Sequence, residues 1–183
     1  MSESKPIIRI ASEKDALVLS EIGINTFNDT FHNIISPQNM SIYLHQSFNQ
    51  EKICDEIVRG RSIYFLAFID KLPVGYAKLN KDKGIGGLKE VNVIELERIY
   101  VLQEMIGKKI GTYLMETILD IVSKEKYKIL WLTVWENNRK AIEFYIKWGF
   151  KKSGNYIYKV GAADYTNIIM TKDLQSKFKS TGI

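Results

Sequence analysis

Apolar residues recur along this chain with two different periods, and the switches between them mark its elements. Pro6 to Ala11 alternates weakly and predicts a first strand. Ala16, Leu17, Leu19, Ile22, Ile24 and Phe27 then trace a helical face, imperfect near its end. Ser12 stands ready to cap that helix, with Asp15 three residues on in a capping-box position. Ser36 followed by Pro37 reads as an N-cap with proline at the first helical position, giving a helix to about Gln46. Asn49 caps a third, which stops at Gly60. Two segments rich in β-branched and aromatic residues follow, SIYFLAFID and VGYAKLN, and the KLP between them predicts a hairpin turn near Pro73. Residues 81–90, KDKGIGGLKE, are charged and glycine-rich and read as a mobile loop.

The second half is more regular. VNVIELERIYVL is a long strand. From Lys108 to about Lys124 the apolar positions Ile110, Leu114, Ile118, Ile121 and Val122 return to helical spacing. KILWLTVW is another strand, and Asn138 to Trp148 another helix, stopped by Gly149 with Phe150 placed to pack back on it. GNYIYKV and YTNIIMTK predict two antiparallel strands. The order is β-α-α-β-β-β-α-β-α-β-β, with room for a third helix after the first strand. It describes an α/β (α+β) layer whose sheet of six to seven strands is mostly antiparallel and becomes parallel where a helix intervenes. At 183 residues, without a repeat, linker or low-complexity tract, residues 1–183 read as one domain.

Charge and composition narrow the function only a little. The net charge of +5 is compatible with a polyanionic ligand. The basic residues are scattered, so nucleic-acid binding is not expected. No run of 18 apolar residues is present and the N-terminus lacks the pattern of a signal peptide. With Cys54 the single cysteine, a cytoplasmic protein without an internal disulfide is expected. His32 and His45 have no Cys or His at ligand spacing, so no metal site is expected.

Candidate chemistry starts at LERIYVLQEMIGKKIGTYLMET, residues 96–117, where a strand runs through a short loop into a helix. Gly107, Lys108, Lys109 and Gly111 sit at the joint, with Ile110 and Thr112 opening the helix. A helix N-terminus offers unpaired N–H groups and partial positive charge, so the joint suits a phosphate or diphosphate. It is not a Walker A loop, because Leu102 and Lys109 stand where that motif needs glycine and Ser/Thr. A dinucleotide fingerprint starting at Gly107 fails as well, at Lys109 and Thr112.

A second constellation lies in VWENNRKAIEFYIKWGF. Asn138, Ala141, Phe144, Tyr145, Gly149 and Phe150 match Asn-x-x-Ala-x-x-Phe-Tyr-x-x-x-Gly-Phe. Together with a loop pattern Gln/Arg-x-x-Gly-x-Gly/Ala read across Ile106 to Gly111, it resembles the GNAT superfamily of N-acetyltransferases over residues 62–172. Ile106 and Lys109 depart from that loop pattern, and a side chain at 109 requires the backbone there to keep a negative φ. NTFNDTFHNIISPQNMSIYLHQSF, with LERIYV, is similar more narrowly to the bacterial PaiA-type spermidine/spermine N-acetyltransferases.

The resemblance implies acetyl-CoA as donor and CoA as product, bound through Ile99, Tyr100, Val101, the loop from Gly107 to Thr112, Asn138 and Tyr145. It implies Tyr145 as the acid for the leaving thiolate. Helices within about residues 13–60 would shape the acceptor pocket, where Asp29, Glu95 and Glu97 would form an acidic patch for a polycation and Phe27, Phe31 and Tyr43 would line its aliphatic stretches. A small-molecule amine such as spermidine or spermine is the implied acceptor, attacking directly in a ternary complex. A protein N-terminal or lysine acetyltransferase and a non-catalytic acetyl-CoA-binding regulator are the alternatives, and a homodimer is compatible with the superfamily. For the base, Glu95 and Glu97 are two apart on one strand and expected on one face with Val93, Ile99 and Val101. Like charge and partial burial are expected to raise at least one of their pKa values. The alternative is that one of them is solvated, or paired with Arg98 or a lysine elsewhere. Asp29 could equally serve as an Asx turn or helix cap near Thr30.

Overall fold

The structure is a computed structural model that describes residues 5–81, 83–85, 92–160 and 163–175. Its strands are β1 (Ile7–Ile10), β2 (Ser62–Ile69), β3 (Leu72–Asn80), β4 (Val93–Val101), β5 (Ile129–Trp135), β6 (Lys151–Val160) and β7 (Ala163–Asp173). Its helices are α1 (Ala16–Phe31), α2 (Pro37–Ser47), α3 (Gln50–Val58), α4 (Ile110–Lys124) and α5 (Arg139–Lys147). The predicted loop at 81–90 falls largely outside the described residues.

Local chemistry sets the boundaries. The Asp15 carboxylate accepts from the Ser12 amide at 2.8 Å and starts a short 3₁₀ turn ahead of α1. Ser36 Oγ accepts from the Asn39 amide, and Asn49 Oδ1 from the Lys52 amide, so α2 and α3 begin where their caps predict. Asp70 and Lys71, both at positive φ, form the two-residue hairpin turn, and Pro73 lies within β3 opposite Phe68. The turn therefore falls earlier than KLP suggested. Among the described helices none is long and apolar enough to cross a membrane.

The seven strands form one sheet, ordered β1-β2-β3-β4-β5-β7-β6. Every neighbouring pair is antiparallel except β4 and β5. On one face α4 inserts Ile110, Leu114, Ile118 and Val122 against Leu79, Ile94, Leu96 and Leu132. Full burial of a side chain such as Leu114 is worth roughly 1.5–3 kcal/mol. On the other face Leu19 and Ile22 of α1 and Ile53 of α3 pack on Tyr64, Leu66 and Tyr76.

Two irregularities place the site. The parallel pair β4–β5 holds only over Val93–Ile129, Ile94–Leu130 and Glu95–Trp131. Beyond Glu95 the strands diverge, and the backbone groups of β4 that face β5 have no strand to pair with. In addition, Lys78 pairs with Arg98 but Leu79 pairs with Leu96, so Glu97 is an extra, bulged residue. The bulge resets the alternation of β4. Ile94 and Leu96 before it, and Ile99 and Val101 after it, all face α4, while Tyr100 faces α1 and α2. The single face expected for Val93, Glu95, Glu97, Ile99 and Val101 therefore does not exist.

Candidate active site

A cavity of about 690 Å³ fills the opening between β4 and β5. On one side its wall takes Gly111 from α4, Asn138, and Ala141, Phe144 and Tyr145 from α5. On the other it takes Phe27, Asp29 and Phe31 from α1, Tyr43 from α2 and Tyr158 from β6. Glu95, Glu97, Ile99, Tyr100 and Val101 of β4 lie between.

At the N-terminus of α4 the chain turns sharply, with Gly107 at φ +91° and Lys109 at φ +59°. Lys109 is thus left-handed, contrary to the negative φ its side chain led us to expect. A Lys108 N–H bond to Met105 O closes the turn, and the Tyr113 N–H bonds to Lys109 O at 3.1 Å. To bring the helix in at this angle, the residue before Ile110 must reverse its φ, and here a lysine does so. The N–H groups of Ile110, Gly111 and Thr112 have no intrahelical acceptor and point out of the helix end. Gly107, Lys108 and Lys109 are exposed, whereas the Ile110 side chain is core, so only its backbone can serve a ligand. A Cβ on Gly111 would lie 3.7 Å from Phe144, in ordinary contact, so the glycine leaves the mouth narrow but open.

Asn138 caps α5, its Oδ1 accepting from the Ala141 amide at 3.2 Å, which leaves the side-chain N–H₂ for a ligand in the cavity. Tyr145 packs against Phe144 and Phe150, with ring centroids 5.5 and 5.7 Å away. Burial pushes its phenol well above the ordinary range. Its hydroxyl has no hydrogen-bond partner among the described residues.

The two glutamates lie in a cradle built largely from β3. Lys78, only 3% exposed, places Nζ 2.8 Å from Glu56 and 2.9 Å from Glu97. Arg98 Nη2 meets Glu97 Oε1 at 2.8 Å. Asn80 Nδ2 donates to Glu95 at 2.8 Å and also to Glu97, while Asn80 Oδ1 accepts from Ser62. Tyr64 donates to Glu56 at 2.6 Å. Burial pushes the Glu97 carboxyl up, but the charges of Arg98 and Lys78 and hydrogen bonds from Lys78 and Asn80 outweigh it and hold the group at about 2. The expected rise does not occur at Glu97, because two cations offset the desolvation. Glu95 is 4% exposed and meets Lys83 Nζ at 3.1 Å.

The acceptor side is aromatic. Phe27 stacks on Tyr43 at 4.3 Å and lies 4.5 Å from Phe31, and Phe31 meets the edge of Trp135 at 5.8 Å. Asp29 lies within α1, exposed at the cavity wall, and makes no hydrogen bond or ion pair among the described residues, so it is neither a cap nor an Asx turn. Three lining anions (Asp29, Glu95, Glu97) face three lining cations (Lys83, Arg98, Lys140), so the acidic patch expected of those carboxylates is balanced and the cavity has no net charge of its own.

Sequence reasoning did not single out Lys78, Asn80, Glu56, Lys83, Trp135 or Tyr158. Lys78 had a visible signal: a lysine inside VGYAKLN, among residues that read as buried, needs a partner.

Residues 28–150 match the Acetyltransferase (GNAT) family. A spermidine N(1)-acetyltransferase of Thermoplasma acidophilum is 31% identical over 173 residues, covering 92% of this chain and 98% of that protein. An uncharacterized N-acetyltransferase of Lactobacillus delbrueckii subsp. lactis is 30% identical over 163 residues, 89% of this chain and 94% of that one. The crystal structure of the PaiA N-acetyltransferase from Thermoplasma acidophilum in complex with coenzyme A superposes with a TM-score of 0.75 at 26% identity, covering 92% and 99% of the two chains. The chain belongs to the acetyltransferase (GNAT) family and is an acetyl-CoA-dependent N-acetyltransferase.

Proposed function

We propose that this enzyme acetylates a primary amine, with a small polyamine such as spermidine or spermine as acceptor, by direct attack in a ternary complex. The observation that carries the reading is the cavity between the diverging strands, with a free helix N-terminus on one side and a buried Glu95 and half-buried Glu97 beside an aromatic wall on the other.

The residues present fit the donor. The free N–H groups of Ile110, Gly111 and Thr112 and the ammonium groups of Lys108 and Lys109 would hold a diphosphate. The open edge of β4 at Ile99, Tyr100 and Val101 would pair with the amides of the pantetheine arm as a neighbouring strand would, and the Asn138 amide would add a donor. Acetyl-CoA supplies the acetyl thioester when bound.

An alkylammonium with a pKa near 10.4 costs about 4.6 kcal/mol to neutralise at pH 7. Glu95 is the group we assign to take that proton. Glu97, held anionic at about 2, is a poor base and serves as a fixed charge that steers the amine. The Tyr145 hydroxyl gives its proton to the leaving sulfur, and its unpartnered state leaves it free to do so. Asp29 is the carboxylate left to meet a second ammonium, and the faces of Phe27, Phe31 and Tyr43 offer cation–π contact along the chain of the acceptor. The spermidine acetyltransferase relative supports the same acceptor class.

The test mixes the enzyme with acetyl-CoA and either spermidine, a simple monoamine or a peptide, and follows free thiol. Release with spermidine above the other two supports the proposal. Release only with peptide, or with none of the three, overturns it.

A further inference from the structure

Lys83 already does what an acceptor would have to do. Its ammonium, a primary amine on an alkyl chain, lies 3.1 Å from Glu95 Oε1, the carboxylate assigned above to deprotonate the acceptor. Its backbone is held as well: the indole N–H of Trp131, a side chain 2% exposed, donates to Lys83 O at 3.1 Å. Both residues line the cavity. Lys140, the other lysine of that wall, has no carboxylate partner among the described residues.

We propose that Lys83 is a self-acetylation site of this enzyme, its Nζ taking the seat of the acceptor amine on Glu95. The inference rests on the reading of this cavity as the acyl-acceptor site. In the reaction the Nζ proton passes to Glu95 Oε1. The nitrogen lone pair then forms the new bond to the acetyl carbon as the carbon–sulfur bond breaks, the departing thiolate takes its proton from Tyr145, and the second proton shed by the acylated nitrogen restores the Tyr145 phenol. The product is a neutral amide at Lys83. Glu95 then loses its counter-ion and is open to an external ammonium, so the modification turns a self-paired site into a more strongly cation-binding one.

The test incubates the full chain with acetyl-CoA and no amine, then measures acetyl occupancy by peptide mass spectrometry. Acetylation of Lys83 is expected to run at least about tenfold faster than at the exposed Lys124 and Lys159, because the amine is already positioned. Its rate should not depend on protein concentration, and added spermidine should slow it by competing for Glu95. Equal rates at the three lysines, or no protection by spermidine at a site that acetylates it, overturns the proposal. If spermidine itself is not acetylated, it is the parent reading that fails. A second measurement needs no acetyl donor. Calorimetry of spermidine binding should show Lys83→Gln, which carries the charge of the product, binding several-fold tighter than the unmodified chain; equal affinity overturns the shared seat.

Discussion

Replacing Lys78 with methionine tests the electrostatic argument at its centre. The side chain is 3% exposed and bridges Glu56 on α3 and Glu97 on β4. Methionine keeps most of the volume and removes the charge, so the packing loss is small. What remains is two partly buried carboxylates, one left with Tyr64 and the other with Arg98 and Asn80. Stranding one partner of a buried pair costs about 3–5 kcal/mol. Because Arg98 still covers Glu97, the lower end, about 3 kcal/mol at pH 7, is expected.

The pH dependence carries the sign. The folded-state pKa of Glu97 is depressed from 4.5 to about 2, so its contribution is fully present above about 4.5 and is lost as pH falls through 2. Without Lys78 that folded pKa rises, and protonation relieves the uncompensated charge. The gap in stability between the two proteins should therefore narrow as pH drops from 7 toward 4. Urea unfolding followed by tryptophan fluorescence at both pH values measures it. A loss below about 1 kcal/mol at pH 7, the level of a surface pair, would refute the buried cradle. A loss unchanged at pH 4 would show that shape, not charge, was what methionine disturbed.

Other changes probe single features. Tyr145→Phe should lower kcat by roughly tenfold or more and leave the affinity for CoA, read by calorimetry, within about twofold. Lys109→Val places a β-branched residue at φ +59° and should cost about 1 kcal/mol in thermal unfolding, whereas Lys109→Gly should not destabilise and should weaken CoA binding through the lost charge. Gly23→Ala would drive a methyl group into the Phe48 ring and to 3.0 Å from Tyr76 Oη, for a loss of about 1–3 kcal/mol. Gly75→Ala would put a Cβ 2.5 Å from Tyr100 O, and the same denaturation should show a loss of similar size, with poorer KM for acetyl-CoA as β4 shifts.

Much of this arrangement was legible because it depends on local chemistry. Ser36 and Asn49 each accept the backbone hydrogen bond that their position beside a helical pattern predicts, whereas Asn138, read as the first residue of its helix, is the cap before it. The face of α4 follows from spacing alone, and Gly149 at φ +83° ends α5 as its sequence context requires. Phe27, Phe31, Tyr43 and Asp29 were named for their aromatic and acidic chemistry toward a polycation, and the fold brings all four to one cavity wall. Lys109 was misjudged for a different reason. The angle at which α4 leaves the loop is fixed by its packing on the sheet, and the local cost of a left-handed lysine is small beside it.

The bulge at Glu97 shows why β4 itself was misread. Alternation in VIELERIYV is a statement about a regular strand, and with one extra residue every position beyond it changes sides. Nothing in the local sequence distinguishes nine regular residues from eight plus a bulge, since both bury apolar side chains. The decision is made across the sheet, where Lys78 and Leu79 pair with Arg98 and Leu96. That register turns Glu97 toward Lys78 and Asn80 and returns Ile99 and Val101 to the α4 face, so apolar burial is kept on both sides of the bulge. The same shift bends β4 away from β5 and opens the cavity. The charge cradle and the binding cleft therefore share one cause. A variant that removes the bulge by deleting Glu97 should lose both together, closing the gap between β4 and β5 and leaving Lys78 with Glu56 alone. Loss of CoA binding alongside the narrowed acid dependence of stability would support that link, and retention of either one would break it.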